Sequence, residues 1–258
     1  ERLLGSLENL IGLIIVLLTA GLLLIFSLTG KKQTRARLRS LPAMVQLRKA
    51  LGSSVEQGRR VHLSLGSVNL LNPASASSVS SLAAEDRLVQ ETSIGDAPPI
   101  ITSGDGALSI LSQDVLSGSL QRQPGSGAAL RNQGQLTGVS PWSYAAGAIP
   151  LVQDRRTSTN VLLGHFGPEA ALILDAAEKN SSQQIAGTDN LAGQAVMYAM
   201  TQDTLIGEEV FTVPGYLQPG ASARAGIKVQ DVLRWVVIVV LLAAAIARFI
   251  LAFLGEAG

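Results

Sequence analysis

The chain contains no cysteine. That absence excludes disulfides, iron–sulfur clusters, thiolate metal sites and a cysteine nucleophile. Histidine is almost as scarce: His62 and His165 are too few for a three-histidine zinc site. Charged residues make up 15% of the 258, against about 25% in an average soluble domain. Aromatics are 4%, which leaves no stacking platform for single-stranded nucleic acid. A phosphate loop with Gly-Lys-Ser/Thr, a G-x-G-x-x-G after a strand, and a G-x-S-x-G elbow are all missing. No catalytic residue, cofactor or metal loop is assigned, and no enzyme class follows.

Apolar residues are what the chain has in quantity: 47% of the total, with a mean hydropathy of +0.33. Leu10–Leu28 is an uncharged run of about spanning length for a ~30 Å hydrocarbon core. Its positive flank follows the run and no A-x-A-like site comes after it, so it reads as an uncleaved span rather than a signal peptide. Val232–Leu254 reads as a second span, with Arg248 snorkelling to the nearer surface. Lys31, Lys32, Arg35, Arg37 and Arg39 follow the first run, and Arg224, Lys228 and Arg234 precede the second. The bias of basic residues toward the cytoplasm then predicts a two-pass protein of the cell membrane. Its centre is cytoplasmic and both termini lie outside.

Four segments follow from composition: a membrane helix (1–30), a basic stem (31–60), an acidic domain (61–223), and a return segment with the second membrane helix (224–258). The stem carries a local charge of +8 and the domain −8, which the total of +1 conceals. Lys31, Lys32, Arg35, Arg37 and Arg39 are placed to meet anionic lipid at the membrane surface, each contributing about 1 kcal/mol. Nucleic acid is not the expected partner of so short a run without interleaved aromatics. Leu38, Leu41, Val45, Leu47 and Leu51 recur at helical spacing, and Pro42 marks a start with Ser40 as cap. This predicts an amphipathic helix between bilayer and domain.

From residue 61 short apolar strands alternate with helices. Strands are expected at Val61–Leu65, Pro99–Thr102, Gln135–Thr137, Thr159–Leu163 and Gln184–Ala186. Helices are expected at Ala74–Gln90, Ala107–Leu120, Pro141–Val152, Pro168–Lys179 and Leu191–Leu205, with a surface loop at 118–134. Strand–turn–helix repeated five times predicts an α/β domain, Rossmann-like with a mostly parallel sheet, inserted between two transmembrane helices. Such sheets bind ligands beyond the carboxyl ends of their strands. The turns there hold Ser103, Gly104, Asp105 and Gly106, then His165, then Gly187, Thr188 and Asp189. Those residues form the candidate site for a small anionic ligand such as a nucleotide. His165 is the candidate general base, oriented by Glu169 or by a neighbouring aspartate. His62, inside a strand, reads as structural. Glu208 and Glu209 form an acidic pair, and Asp105, Asp189 and Asp203 add carboxylates that could hold a hard cation, but no spacing selects a metal loop.

Several segments share a recognisable order. They are Met44–Gly52, Glu56–His62 with Ser64–Gly66, Ser143–Gly147, Gly164–Glu169, Ala186–Asp189, Leu205–Glu209 and Gln230–Arg234. Together, over about residues 40–240, the chain resembles an uncharacterised bacterial family of membrane-anchored proteins. That family is a domain of unknown function flanked by transmembrane helices, so the resemblance implies no activity and no catalytic residue. Two readings follow. The first is a non-enzymatic structural or scaffolding subunit of a larger membrane assembly, as a homo-oligomer or with other membrane subunits. The second is a membrane-tethered α/β domain binding a small anionic ligand, as sensor or enzyme.

Overall fold

The computed structural model describes residues 2–30, 40–92, 94–95, 97–122, 133–217 and 221–255. Lys31, Lys32, Arg35, Arg37 and Arg39 lie outside the described residues, as does most of the expected loop at 118–134. The chain divides into two compact units: Glu1–Arg37 with Pro219–Gly258, and Leu38–Gln218.

In the first unit, helix α1 (Arg2–Gly30) packs against helix α9 (Ala221–Gly255). Lys228 Nζ sits 6.0 Å from the centre of the Phe26 ring. Among the described residues one helix is long and apolar enough to cross a membrane, α9 over Ala225–Phe249. The corresponding stretch of α1, Gly12–Leu28, is shorter. At 1.5 Å per residue it covers about 26 Å, less than a ~30 Å core requires. The expected two-pass topology is therefore not supported.

The second unit is built on six parallel strands: β1 (Arg60–Gly66), β2 (Ile100–Ser103), β3 (Gly134–Leu136), β4 (Thr157–His165), β5 (Gln183–Thr188) and β6 (Asp203–Ile206). Their order is β3-β2-β1-β4-β5-β6. This is the doubly wound Rossmann-like order, whose switch point falls between β1 and β4. The expected α/β class and parallel sheet hold. One strand was not expected: the helix foreseen over Leu191–Leu205 stops at Met200, and Asp203–Ile206 pairs with β5 instead. A four-residue edge strand directly after a helix offers too few residues to break the apolar helical period.

Among the described residues seven α-helices accompany the sheet: α2 (Pro42–Glu56), α3 (Ala76–Thr92), α4 (Gly106–Arg122), α5 (Pro141–Val152), α6 (Ala170–Lys179), α7 (Leu191–Met200) and α8 (Glu209–Leu217). Alternation along the strands assigns the two faces. Val61, Leu63 and Leu65 of β1, Ile101 of β2, and Val161 and Leu163 of β4 face α2, α3, α4 and α8. Leu162 and Ala186 face α5, α6 and α7 around Tyr144, Phe166 and Ile173. Helix α2 starts at Pro42 as expected, but its N-cap is Leu41, with no side-chain cap. Met44, Leu47 and Leu51 enter the core, so the helix expected as a stem belongs to the domain. Midway along it Arg48 Nη2 donates to the Tyr216 carbonyl, tying α2 to the end of α8.

One carboxyl group is sealed between α3 and α4. Glu85 is fully buried; its Oε1 accepts from Ser112 Oγ at 2.8 Å, and its Oε2 has no partner. Desolvation pushes this carboxyl well above the ordinary range. A group with a raised folded pKa stabilises fully below its unfolded value of 4.5 and loses that contribution as pH rises. Glu85→Gln keeps the hydrogen bond and removes the titration. At pH 8 it is expected to stabilise the chain by about 1–2 kcal/mol, and at pH 4 by little. Thermal unfolding of the detergent-solubilised chain at both pH values checks this; equal shifts would contradict it.

Candidate functional site

The carboxyl ends of β1, β4 and β5 are brought together by glycines. Gly66 has φ +87° and Gly164 φ +150°. An added Cβ at Gly164 would stand 2.2 Å from the Leu65 carbonyl oxygen, and one at Gly66 would stand 2.6 Å from that of His165. The two central strands thus lie side by side with backbone pressed on backbone at their carboxyl ends, which places His165 at the switch point.

His165 lies between β4 and the turn into α6. Its Nδ1 is 2.8 Å from Asp189 Oδ1, and both side chains are about a quarter exposed (24% and 22%). The same Asp189 oxygen accepts from Ser77 Oγ at 3.0 Å, and Ser78 Oγ accepts from the His165 N–H at 3.2 Å. On the other side Asn190 Nδ2 stands 3.3 Å from His165 Nε2. Asn190 Oδ1 is committed to capping α7, accepting from the Ala192 and Gly193 N–H groups. Its amide nitrogen therefore faces the ring and donates. That donor makes Nε2 the acceptor and puts the ring proton on Nδ1, aimed at Asp189. Thr188 staples the two strand ends together, accepting from the Phe166 N–H at 3.0 Å.

His165, Thr188 and Asp189 are thus brought together as expected, with Asp189 rather than Glu169 as the orienting carboxylate. Glu169 is buried and accepts from the Gly167 N–H at 2.8 Å. Gly187 belongs to packing: a Cβ there would meet Leu205 Cβ at 2.9 Å and Val210 Cγ2 at 3.0 Å. The Ser103–Gly106 turn does not join the cluster. Asp105 Oδ1 caps α4 through the Leu108 N–H at 3.0 Å, and Gly104 is pressed against Ser67, 2.6 Å from an added Cβ. Ser77, Ser78 and Asn190 escaped the sequence reading. Serines in the first turn of a helix that follows a strand were the available signal for the first two, and Asn directly before Leu191–Met200 for the third.

Chemically, a carboxylate-oriented imidazole with an exposed edge could take a proton. The surroundings do not suit an anion. None of the turns that leave the described strands at this end carries Lys or Arg between the strand and the first turn of the next helix. Instead they carry Asp105, Glu169, Asp189, Glu208 and Glu209. Helix donors at this end are already occupied by the chain's own caps: Asp105 on α4, Ser140 on α5, Asn190 on α7. The same turns expose large apolar side chains. Leu71 is 93% exposed, Leu191 81%, Val139 79% and Trp142 58%. Basic residues gather at the opposite end, where Arg59, Arg60, Arg155, Arg156 and Lys179 flank the strands' amino ends. Among the described residues no group of three or more His, Asp and Glu is placed to hold a metal ion, so the acids noted in the sequence do not converge.

A buried network runs across the other face of the sheet. His62 Nδ1 is 3.1 Å from Asn160 Oδ1, and its Nε2 is 2.9 Å from Thr102 Oγ1. Thr102 Oγ1 is 3.1 Å from the Tyr144 hydroxyl, which also bonds Ser64 Oγ. Asn160 Nδ2 donates to Ser182 Oγ at 2.6 Å. Burial lowers the His62 pKa to about 4 and raises that of Tyr144. Both groups are therefore neutral at pH 7, and His62 is structural as expected.

No curated protein and no solved structure matches this chain significantly. One family model does, over residues 4–257, described as a domain of unknown function. With nearly its whole length covered, the chain belongs to the DUF6754 family.

Proposed function

We propose that this chain is a membrane-anchored, non-enzymatic subunit of a larger assembly. In this reading the Rossmann-like domain is an interaction module that receives a basic polypeptide with an apolar anchor. Helix α9 is the anchor, and Arg224, Lys228 and Arg234 in its amino-terminal half keep the domain on the cytoplasmic side. The observation that carries the reading is the character of the carboxyl end of the sheet. There, Leu71, Val139, Trp142 and Leu191 stand exposed among carboxylates, with no Lys or Arg in the turns. Exposed aromatic and large aliphatic side chains are the usual anchors of a protein interface, and carboxylates around them select a basic partner.

A second reading, a small anionic ligand at the same end, draws support from the oriented His165–Asp189 pair. It requires phosphate or carboxylate to enter a ring of carboxylates with one histidine as the sole cation source. Coulomb repulsion opposes that entry.

The native mass of the particle extracted in mild detergent tests the first reading. Wild type is expected to run well above one chain, and Trp142→Glu with Leu191→Glu to run as the lone chain with an unchanged circular dichroism spectrum. A wild-type particle of one chain only would contradict the proposal.

A further inference from the structure

At the opposite end of the domain, away from the proposed docking surface, the amino ends of β5 and β6 and the second turn of α2 enclose an open cavity of about 400 Å³. That volume lies within the range of small-molecule sites. Its walls are polar and rich in acceptors: Glu178 and Asp203 supply carboxylates, and Gln46, Gln183, Gln184 and Gln202 supply amides. No Lys or Arg lines it. The nearest lysine in sequence, Lys179, is turned to Asp175 at 2.6 Å.

Two groups in these walls lack what they need. Gln184 Oε1 is buried with no hydrogen-bond partner, although the peptide carbonyl of the same residue is satisfied by Thr201 Oγ1 at 3.2 Å. An unsatisfied buried acceptor costs free energy until a donor reaches it. Desolvation holds the Asp203 carboxyl above its ordinary range, and no ion pair forms on it among the described residues. A desolvated carboxylate and an orphaned amide oxygen in one cavity both call for the same chemistry, a cation that carries N–H groups.

We infer that this cavity binds a small organic cation, an alkylammonium or guanidinium compound. Asp203 and Glu178 balance its charge, and Gln184, whose side chain turns its buried Oε1 into the cavity, accepts one of its N–H groups. A neutral polyol would leave the carboxylate charge unbalanced, and an alkali cation would bring no directed N–H donor. The inference is independent of the docking surface, since the two lie at opposite ends of the strands.

Calorimetric titration of the detergent-solubilised full chain with 1,4-diaminobutane dihydrochloride tests it. A saturable, single-site heat is expected, with 1,4-butanediol silent and sodium chloride of matched ionic strength unable to reproduce it. Asp203→Asn is expected to weaken binding by about tenfold or more, the loss of one charge-assisted hydrogen bond. Glu178→Gln, on an exposed helix end where folding is not at stake, is expected to weaken it by a smaller factor. The inference is overturned by any of three results: no saturable heat, an equal response to sodium chloride, or binding left unchanged by both substitutions.

Discussion

Gly164→Ala is expected to destabilise the domain by about 3 kcal/mol or more, the combined effect of a disfavoured backbone conformation and a steric clash. The clash is with backbone, not with a side chain that can rotate away: the new Cβ would lie 2.2 Å from the Leu65 oxygen and 2.8 Å from its carbon. Leu65 belongs to β1 and Gly164 to β4, the two central strands, so relief requires the middle of the sheet to open. A φ of +150° adds its own penalty for an L side chain. In a domain of this size about 3 kcal/mol corresponds to a loss of roughly 6–12 °C in Tm. Thermal unfolding of the full chain in detergent measures it. A loss of less than about 2 °C would show that β1 and β4 do not meet as described.

The second large effect is a pH dependence that wild type conceals. His62 has a folded pKa of about 4 against 6.5 when exposed. Its folded form resists protonation, so the unfolded chain takes up the proton first as pH falls below 6.5. Stability is whole above 6.5 and is lost between 6.5 and 4, by about 3 kcal/mol in all. Glu85 works in the opposite sense, since its raised pKa removes stability as pH rises above 4.5. From pH 4.5 upward the Glu85 slope opposes that of His62. In Glu85→Gln the strongest opposing slope is gone, and stability is expected to fall by up to about 3 kcal/mol from pH 6.5 to 4. Denaturant midpoints of that variant at several pH values read the slope directly. A flat profile would mean that His62 is reached by solvent in the folded chain.

Strand positions were legible wherever a strand was buried on both faces and followed by a glycine turn. Val61–Leu65 and Thr159–Leu163 were read nearly to their ends because short segments rich in β-branched residues and leucine, closed by a glycine turn, suit a buried strand. Asp203–Ile206 was not legible, since half of an edge strand is exposed and Thr204 and Leu205 fit a helix equally well. Charge misdirected the reading of α2. The basic segment around it set the helix between bilayer and domain, whereas its apolar side closes the core through Leu47 and Leu51.

The site was legible in part. A histidine and an aspartate placed after successive strands of a parallel sheet are forced to the same end, which is why His165 and Asp189 meet. Their link to Ser77 depends on the strand order, which sets β1 beside β4, and order is a long-range property that no local motif encodes. The polarity of the domain followed the same logic. Each turn looked unremarkable alone, and only the parallel arrangement gathers Trp142, Leu191 and the carboxylates at one end and the arginines at the other.

A photo-crosslinking comparison tests the interaction-module account most directly. A benzophenone side chain placed at Trp142 or Leu191 marks the carboxyl end, and one at Arg156 or Lys179 marks the amino end. Irradiation in native membranes is expected to give a discrete adduct from the first pair, its partner peptide rich in Lys and Arg, and none from the second. Adducts from Arg156 or Lys179 alone, or none from any position, would contradict the account.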